Sequence, residues 1–429
     1  MHYTEIQNRF LSHIRLFLIS GIVVTIVLSW LNLNSTFIIL LAVTWLTEGD
    51  FRNKLKLLKK DFLFLAYLAY VVLQFVGLFK SDNLYYGYKE LESKLGFLVL
   101  PLVFCSTSVL SHAFRTKVMY VLSLTVTVVG LYCLVIAGFH FLFHEKNADV
   151  FFYHQLVSPV SHHAVYFSVF VFISLAFILF EILPVAGPRM RRTLPFWIGF
   201  LLVLLFLLSS KMVLLVLVFL LIYFSFELGK KKINKPIALI SVIALVIIIL
   251  SILFTDNQVR NRFSDMKGNI SKLSLEKYNE GFYFNPWEFR LLLWRITFET
   301  VDEQEAWLTG VGPVNDQRIL QAKYRELGLY SGDLRRNDPG YFNFNCHNQF
   351  LQSTLESGIP GLLSVIFFCC MLFQRTRAQK RKVLSWVTII VFCFFFTESV
   401  FERQYGMVLT TLFPLMYLYS TDRTEKLKT

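Results

Sequence analysis

The sequence predicts an all-α, polytopic membrane protein with about twelve transmembrane helices and one large, partly helical loop. Of its 429 residues, 55% are hydrophobic and only 17% are charged, and the mean hydropathy is +0.55. Ordinary soluble proteins are excluded, because about a quarter of their residues are charged. Intrinsically disordered chains are excluded because they are poor in hydrophobic residues. Finally, long apolar runs recur along most of the chain.

These apolar runs are long enough to cross a membrane as helices. About 20 mostly apolar residues span the hydrocarbon core, and backbone groups in lipid must be paired within their own segment. The first run follows Arg9 and Arg15 and resembles a signal peptide, but no small-residue cleavage site follows, so we interpret it as a helix. The predicted spans are residues 14–31, 35–48, 62–80, 95–111, 118–143, 160–183, 194–209, 211–228, 236–254, 347–373, 383–400 and 404–420.

The positions of the basic residues predict the orientation of these spans. Lysine and arginine outnumber aspartate and glutamate by 42 to 29, for a formal charge of +13. In a soluble chain such an excess would suggest nucleic acid as a partner. Here the basic clusters fall in alternate loops and in the C-terminal tail, all on the side of the N-terminus. Because basic residues collect on the cytoplasmic side, we expect both termini and these loops in the cytoplasm.

One long segment, residues 255–346, lies on the opposite side, and its charges nearly balance. A loop of this length without function would be unusual, so we expect the functional site there and at the adjoining helix ends. The predicted domains are helices 1–9 (1–254), the loop (255–346), and helices 10–12 with the tail (347–429). The six cysteines lack the spacing of a zinc site or a disulfide framework. No acidic pair suited to a metal is evident, and no cofactor is expected.

The first candidate site residues are His347 and Asn348, at the start of span 10. A helix N-terminus favours anions and disfavours protonation of a nearby imidazole. A neutral histidine there could take a proton from a hydroxyl group. The alternative is an interfacial histidine that is simply hydrogen-bonded. Within the same helix, Pro360 predicts a kink, which membrane helices tolerate.

A second candidate, Arg290, lies on a predicted amphipathic helix within the loop. Asn285 and Glu288 form a helix-start signal around a proline. Arg290 lies between Trp287 and Trp294, and arginine is suited to binding phosphate through two parallel hydrogen bonds. The alternative is a solvated or interfacial arginine, and the tryptophans could equally form an interfacial belt.

Further candidates lie at helix ends on the same side. Lys211 is wedged between spans 7 and 8, where a charge is costly and therefore a functional candidate; the alternative is a lysine that reaches to the interface. Glu398 and Arg403 mark the turn between spans 11 and 12, where helix-end ion pairing is the simpler explanation. His162 and His163 begin span 6 on this side, but adjacent histidines point apart on a helix.

One string in this region resembles a known family signature. His347-Asn348, nine residues, and then Gly358-Ile359-Pro360-Gly361 is similar to the signature of the bacterial O-antigen ligases. That superfamily also contains O-antigen polymerases and protein O-oligosaccharyltransferases. Its members have about twelve or more helices and a large periplasmic loop before the histidine-bearing helix. The resemblance therefore covers most of the chain and implies a GT-C-like glycosyltransferase of the bacterial inner membrane.

The resemblance also implies a reaction and a set of roles. Such ligases transfer polysaccharide from undecaprenyl diphosphate to a sugar hydroxyl of lipid A–core, at the periplasmic face. His347 would be the general base, and Arg290 and Lys211 would bind the diphosphate. Lys211 stands where the family carries an arginine, and lysine lacks the planar bidentate contact. The implied reaction inverts the anomeric centre and needs no metal. The substrate-binding candidates are Asn348, Trp287, Trp294, Glu398 and Arg403.

Three other functions stay open from the sequence. An O-antigen polymerase would join two carrier-linked repeats with similar groups, and a protein O-oligosaccharyltransferase would use a protein acceptor. A twelve-helix transporter would place its polar groups near the bilayer midplane and show paired halves. Here the polar candidates gather at one face and the halves look unlike, which favours a transferase.

Overall fold

The computed structural model describes residues 2–80, 84–107, 110–231, 243, 270–279, 281–333, 338 and 340–421. Within these ranges the chain is mostly helical, in agreement with the predicted class. Two parallel two-residue strands, β1 (Leu110–Ser111) and β2 (Ser420–Thr421), pair with each other and were not predicted.

The described residues before the outer loop form eleven α-helices. They are α1 (His2–Val27), α2 (Leu31–Thr47), α3 (Phe51–Lys59), α4 (Phe62–Gly77), α5 (Leu84–Lys94), α6 (Gly96–Ser106), α7 (His112–Phe143), α8 (Tyr153–Val157), α9 (Ala164–Phe177), α10 (Pro188–Leu208) and α11 (Lys211–Lys231). The α9 helix continues through a π-helical turn, Ile178–Ile182. All residues of α9 are buried, so it forms the centre of the bundle.

The later helices comprise two in the loop and three in the bundle. They are α12 (Pro286–Glu303), α13 (Asp316–Glu326), α14 (Gln349–Gln379), α15 (Lys382–Phe395) and α16 (Gln404–Leu418). Local polar caps start several of the helices. The Asp61 carboxylate accepts hydrogen bonds from the first N–H groups of α4, and the Ser111 hydroxyl accepts one at the start of α7. Such caps satisfy N–H groups that have no partner within the helix.

Within the described ranges, six helices are long and apolar enough to cross a membrane, and a seventh candidate is the pair α2 and α3, bent by 114°. The chain is therefore a multi-pass membrane protein. The α6, α15 and α16 helices have 11, 14 and 15 residues, fewer than the roughly 20 of a full span. The predicted span 236–254 lies outside the described residues, apart from residue 243. The count of twelve stays a prediction.

Contacts between loops define two ends of the bundle. At one end, Arg375 at the end of α14 pairs with Asp61 at 3.4 Å. At the other end, Lys80 donates a hydrogen bond to the Gly310 carbonyl at 2.7 Å. We call the end that carries the loop the His347 side. The described basic segments lie at the Arg375 end, in agreement with the prediction that basic clusters occupy alternate loops on one side. The cytoplasmic location of that side stays a prediction.

The outer loop, which comprises the described residues between 270 and 346, has its own small hydrophobic core. Leu292 and Ile296 of α12 and Leu320 and Tyr324 of α13 are fully buried in it. Leu355 of α14 belongs to the same cluster. The first turns of α14 therefore pack with the outer loop, whereas the rest of that helix packs in the bundle.

Candidate active site

His347 lies just before α14, in a backbone turn. Its φ is 46°, in the left-handed region that residues with a side chain seldom adopt. Asn348 follows as the helix cap, and its side-chain oxygen accepts hydrogen bonds from the N–H groups of Phe350 at 3.0 Å and Leu351 at 3.2 Å. The turn and the cap together set the position of the imidazole beside the helix start.

Glu398 joins His347 and Arg290. Its Oε2 lies 3.0 Å from His347 Nδ1, and its Oε1 accepts a hydrogen bond from Arg290 Nη2 at 3.2 Å. The Glu398 side chain is 8% exposed, whereas those of His347 and Arg290 are 19% and 28% exposed. The carboxylate is therefore buried behind two groups that reach solvent. We call these three residues the base cluster.

The charge state of Glu398 follows from its neighbours. Burial by itself raises the pKa of Glu398, but His347 and Arg290 outweigh burial and lower it to about 2. Glu398 is thus ionised at neutral pH. A carboxylate beside Nδ1 holds a proton on that nitrogen and leaves Nε2 as an acceptor. Such an imidazole can take a proton from a hydroxyl group.

Arg290 is held by α12, which starts as the sequence predicted. The Asn285 side chain accepts from the Trp287 and Glu288 N–H groups, and the Glu288 carboxylate accepts from the Asn285 N–H at 3.0 Å. The helical spacing of Leu291, Trp294, Phe298 and Val301 in the sequence predicted the apolar face of this helix. Of these four only Val301 is fully buried, and the buried face is formed mainly by Leu292, Leu293, Ile296 and Thr300. The physical reason is the direction of docking: α12 packs on both α13 and α14.

The other substrate-binding candidates lie near the base cluster without joining it by a described contact. Trp287 is 40% exposed, and Trp294 has a buried indole nitrogen that lacks a hydrogen-bond partner among the described residues. Asn348 uses its side-chain oxygen to cap α14. Arg403 is exposed and immediately precedes α16. Roles in substrate binding stay predictions for all four.

Lys211 is the first residue of α11. The α11 and α15 helices run antiparallel, because Glu227 near the end of α11 pairs with Lys382 at the start of α15. The first residue of α11 therefore lies near the last residues of α15, just before Glu398. Lys211 and Glu227 are roughly 24 Å apart along α11. This register places Lys211 on the His347 side, as the sequence predicted.

The glycine motif after His347 breaks α14 so that the outer loop can dock. The sequence predicted a kink at Pro360, and this prediction was wrong. The break falls at Gly358, which adopts φ 68° and ψ −156°. A Cβ atom on Gly358 would lie 2.6 Å from the backbone of Leu308 and Thr309. The physical reason for the difference is that glycine tolerates positive φ and close backbone approach.

Backbone groups on both sides of the break bond to the loop. The Val311 N–H donates to the Leu355 carbonyl at 2.8 Å, and the Gly312 N–H donates to the Glu356 carbonyl at 3.0 Å. Beyond the break, Ile359 N–H donates to the Trp307 carbonyl at 2.7 Å. The break thus satisfies groups that an interrupted helix leaves unpaired.

A second polar cluster on this side was not predicted. Lys94 Nζ lies 3.0 Å from Glu402, 3.2 Å from Glu90 and 3.6 Å from Glu356. Glutamine side chains extend the network, since Gln352 Nε2 donates to both Asp316 at 2.6 Å and Glu356 at 2.8 Å. We call Lys94, Glu90, Asp316, Gln352, Glu356 and Glu402 the Lys94 cluster. The available signal was Glu356, an ionisable residue within a predicted transmembrane span.

Excess negative charge sets the protonation of the Lys94 cluster. Burial and the nearby Glu356 charge together raise the pKa of Asp316 to about 7, against the opposing effect of Lys94. Burial and Glu356 also raise the pKa of Glu402 well above its ordinary value. The described residues include no group of three or more His, Cys, Asp or Glu side chains arranged to hold a metal ion. All six cysteines are free thiols.

The fold and the site together define a multi-pass membrane protein with a histidine, a carboxylate and an arginine assembled at one end of the helix bundle. Comparison with known families adds a match of residues 196–366 to the O-antigen ligase family. The chain is thus similar to the O-antigen ligase family over this segment. Its members are glycosyltransferase-like ligases and polymerases, which supports an enzymatic role. Among the curated proteins compared with the chain, none matches it.

The matched segment contains Lys211, Arg290 and His347. Glu398 lies beyond this segment. Of the Lys94 cluster, Asp316, Gln352 and Glu356 lie within the segment, and Glu90, Lys94 and Glu402 lie outside it. The base cluster therefore combines two residues of the matched segment, Arg290 and His347, with one carboxylate, Glu398, from the turn between α15 and α16.

Proposed function

We propose that this protein is an O-antigen ligase that transfers polysaccharide from undecaprenyl diphosphate to a sugar hydroxyl of lipid A–core. The observation that carries the proposal is the base cluster, in which buried Glu398 contacts both His347 and Arg290. It puts a proton acceptor and a cation side by side, as displacement of a diphosphate from a sugar requires. The polysaccharide donor and the lipid A–core acceptor are suggested by the similarity to the O-antigen ligase family and are part of the proposal.

In the proposed reaction, His347 Nε2 takes the proton of the acceptor hydroxyl. The oxygen forms a bond to the anomeric carbon of the donor, and the bond from that carbon to the diphosphate oxygen breaks. The electron pair leaves with the diphosphate, and the anomeric centre inverts. Glu398 is a positioning residue here, because it fixes the imidazole and stabilises the positive charge that His347 gains.

The leaving diphosphate gains negative charge, which nearby cations stabilise. Arg290 supplies one cation, and its 28% exposed side chain can reach a ligand while it stays bound to Glu398. Lys211 supplies the second from the start of α11. With two side-chain cations in this role, we expect the reaction to proceed without a metal ion.

The proposed location is the bacterial inner membrane, with both termini cytoplasmic and the His347 side in the periplasm. The basic loops at the opposite end support this orientation. Donor and acceptor are both anchored in lipid, so a site at helix ends, where the outer loop meets the bundle, suits both.

The test is transfer by purified protein in proteoliposomes that contain carrier-linked polysaccharide and lipid A–core. We expect His347→Ala to lower the transfer rate roughly 10²- to 10⁴-fold, because general base catalysis contributes about that much. His112→Ala is the matched control, since His112 is an exposed histidine at the opposite end. Wild-type activity should persist in excess chelator.

Three outcomes would contradict the proposal. Unchanged transfer by His347→Ala would remove the proposed base. Inhibition by chelator, reversed by added metal, would refute the metal-free reaction. Wild-type protein that elongates carrier-linked glycan but leaves lipid A–core unmodified would instead be a polymerase.

A further inference from the structure

A cavity of about 550 Å³ lies beside the end of α7 on the His347 side. Its size falls in the range of roughly 300–1,000 Å³ that is typical of small-molecule sites. The cavity is open to the outside and is lined by the last turns of α7 and by the segment that leads through α8 to α9. Its polar lining comprises His140, Lys146, Asn147, Asp149, Gln155 and Ser158.

A chain of side chains connects this cavity with the base cluster. His154 also lines the cavity, and its ring centroid lies 4.7 Å from that of His163. The His163 ring centroid lies 5.6 Å from that of Tyr166, which lies 6.1 Å from that of Phe394. The Phe394 carbonyl accepts a hydrogen bond from the Glu398 N–H at 2.8 Å, and Glu398 in turn contacts His347. Packed side chains at one end of the bundle therefore link the cavity to the base cluster.

We propose that this cavity is a saccharide-binding subsite, an inference that rests on the proposed transferase function. Sugar hydroxyl groups both donate and accept hydrogen bonds, and the lining offers both kinds of partner. The amide side chains of Asn147 and Gln155 can do both, the Ser158 hydroxyl can do both, and Asp149 accepts. Apolar side chains such as Val150 add surface for the C–H faces of a sugar ring.

The charge of the lining favours a saccharide over a lipid phosphate. Lys146 and Asp149 balance each other, whereas a phosphate site would be expected to hold an excess of cations. His140 also lines the cavity, and its buried Nδ1 lacks a hydrogen-bond partner in the part of the chain that the structure describes.

The surroundings of the cavity suit a saccharide that is attached to a lipid. Phe139, Leu142 and Phe143 of α7 are 49%, 71% and 71% exposed. Such side chains at a helix end are typical of the membrane interface. The saccharide could belong to the donor glycan or to the acceptor, and the chemistry of the lining fits both sources.

The experiment compares the double variant Asn147→Ala/Gln155→Ala with wild-type protein in the same proteoliposomes. Both residues are exposed and line the cavity, so their loss should leave the fold intact. We expect KM for one substrate to rise about tenfold with kcat unchanged, because about two hydrogen bonds are lost. A rise in the acceptor KM identifies the acceptor saccharide, and a rise in the donor KM identifies the donor glycan. Asn32→Ala/Gln304→Ala is the matched control, since both residues are exposed and outside the cavity.

A second measurement is independent of transfer. Saturation-transfer NMR with lipid-free core oligosaccharide and with carrier-free polysaccharide should show weaker binding of one of them to the double variant. Equal saccharide binding together with unchanged KM values would overturn the proposal. So would a variant that loses only binding of anionic phospholipid vesicles, which would make the cavity a lipid headgroup site. If wild-type protein binds saccharide through this cavity but transfers none, the subsite stands and the proposed ligase function fails.

Discussion

Two polar clusters on the His347 side share one helix but have opposite electrostatic character. The base cluster lies at the start of α14. There one carboxylate, that of Glu398, contacts the His347 imidazole and the Arg290 guanidinium. The Lys94 cluster includes Glu356, nine residues after His347 in the chain, where one lysine faces several carboxylates. Along a helix, nine residues correspond to roughly 13 Å.

This difference shows that the neighbours of a buried carboxylate, more than its burial, decide what it can do. Glu398 has a lowered pKa because His347 and Arg290 outweigh burial. Asp316 and Glu402 have raised pKa values because burial and other carboxylates outweigh Lys94. An ionised carboxylate can orient a base, whereas protonated carboxyl groups form a structural network. An anionic diphosphate is also repelled less by the base cluster, where Arg290 balances Glu398, than by the carboxylate-rich Lys94 cluster.

The largest effect on stability is expected from Lys94→Met, which removes the cation from the carboxylate-rich cluster. Losing one partner of a buried ion pair costs about 3–5 kcal/mol, because an unpaired charge is left behind. The loss of stability should be smaller at pH 5 than at pH 8, because fewer carboxyl groups carry protons at pH 8. The measurement is the midpoint of thermal unfolding of each variant in the same detergent. Lys89→Met is the control, since Lys89 is exposed on the same helix. Equal midpoints for both variants would show that the cluster needs no cation.

The next effect separates the two clusters by activity. We expect Glu398→Gln to lower kcat about 10²-fold, or roughly 2.7 kcal/mol in the barrier, because the imidazole loses its charged partner. Glu402→Gln, in the Lys94 cluster, should change kcat less than threefold. Transfer assays in proteoliposomes over pH 5–9 provide the measurement. If both substitutions reduce kcat to the same degree, the functional distinction between the clusters fails.

The smallest effect is a pH dependence of stability that comes from Asp316. Its folded-state pKa lies above the unfolded value, near 7 instead of about 3.9. The stabilisation is therefore fully present below the unfolded pKa and is lost as pH rises through about 7. The thermal unfolding midpoint of the wild type should fall between pH 5 and pH 8. We expect this fall to be about 2–4 °C smaller in Asp316→Asn. Parallel slopes for wild type and variant would assign the pH dependence to other groups.

Local features of the structure could be predicted from the sequence. The start of α12 was readable because the Asn285 and Glu288 capping box involves neighbours along the chain. The apolar runs predicted a multi-pass membrane protein because the bilayer sets a minimum length for spans. The positions of Lys211, Arg290 and His347 on one side followed from counting alternate spans.

Contacts between distant segments could not be predicted in the same way. His347 and Glu398 are 51 residues apart in the chain, and nothing in either segment specifies that they meet. The Lys94 cluster combines residues from α5, from the loop helix α13, from α14 and from the turn before α16. The break at Gly358 was placed at Pro360 because proline breaks helices locally, whereas the actual break depends on the outer loop that docks against it.

The break at Gly358 also determines where this protein could be recombined with a relative. The turns of α14 from Gln349 to Gly358 share a core and backbone hydrogen bonds with the outer loop. A chimera joined before His347, at the apparent membrane boundary, would combine the outer loop of one protein with the first turns of α14 from the other. The shared core and the backbone hydrogen bonds would then come from two different proteins. A junction after Gly361 would transfer the loop, the histidine and their common support together. Exchange of substrate preference between relatives should therefore succeed at the second junction and fail at the first.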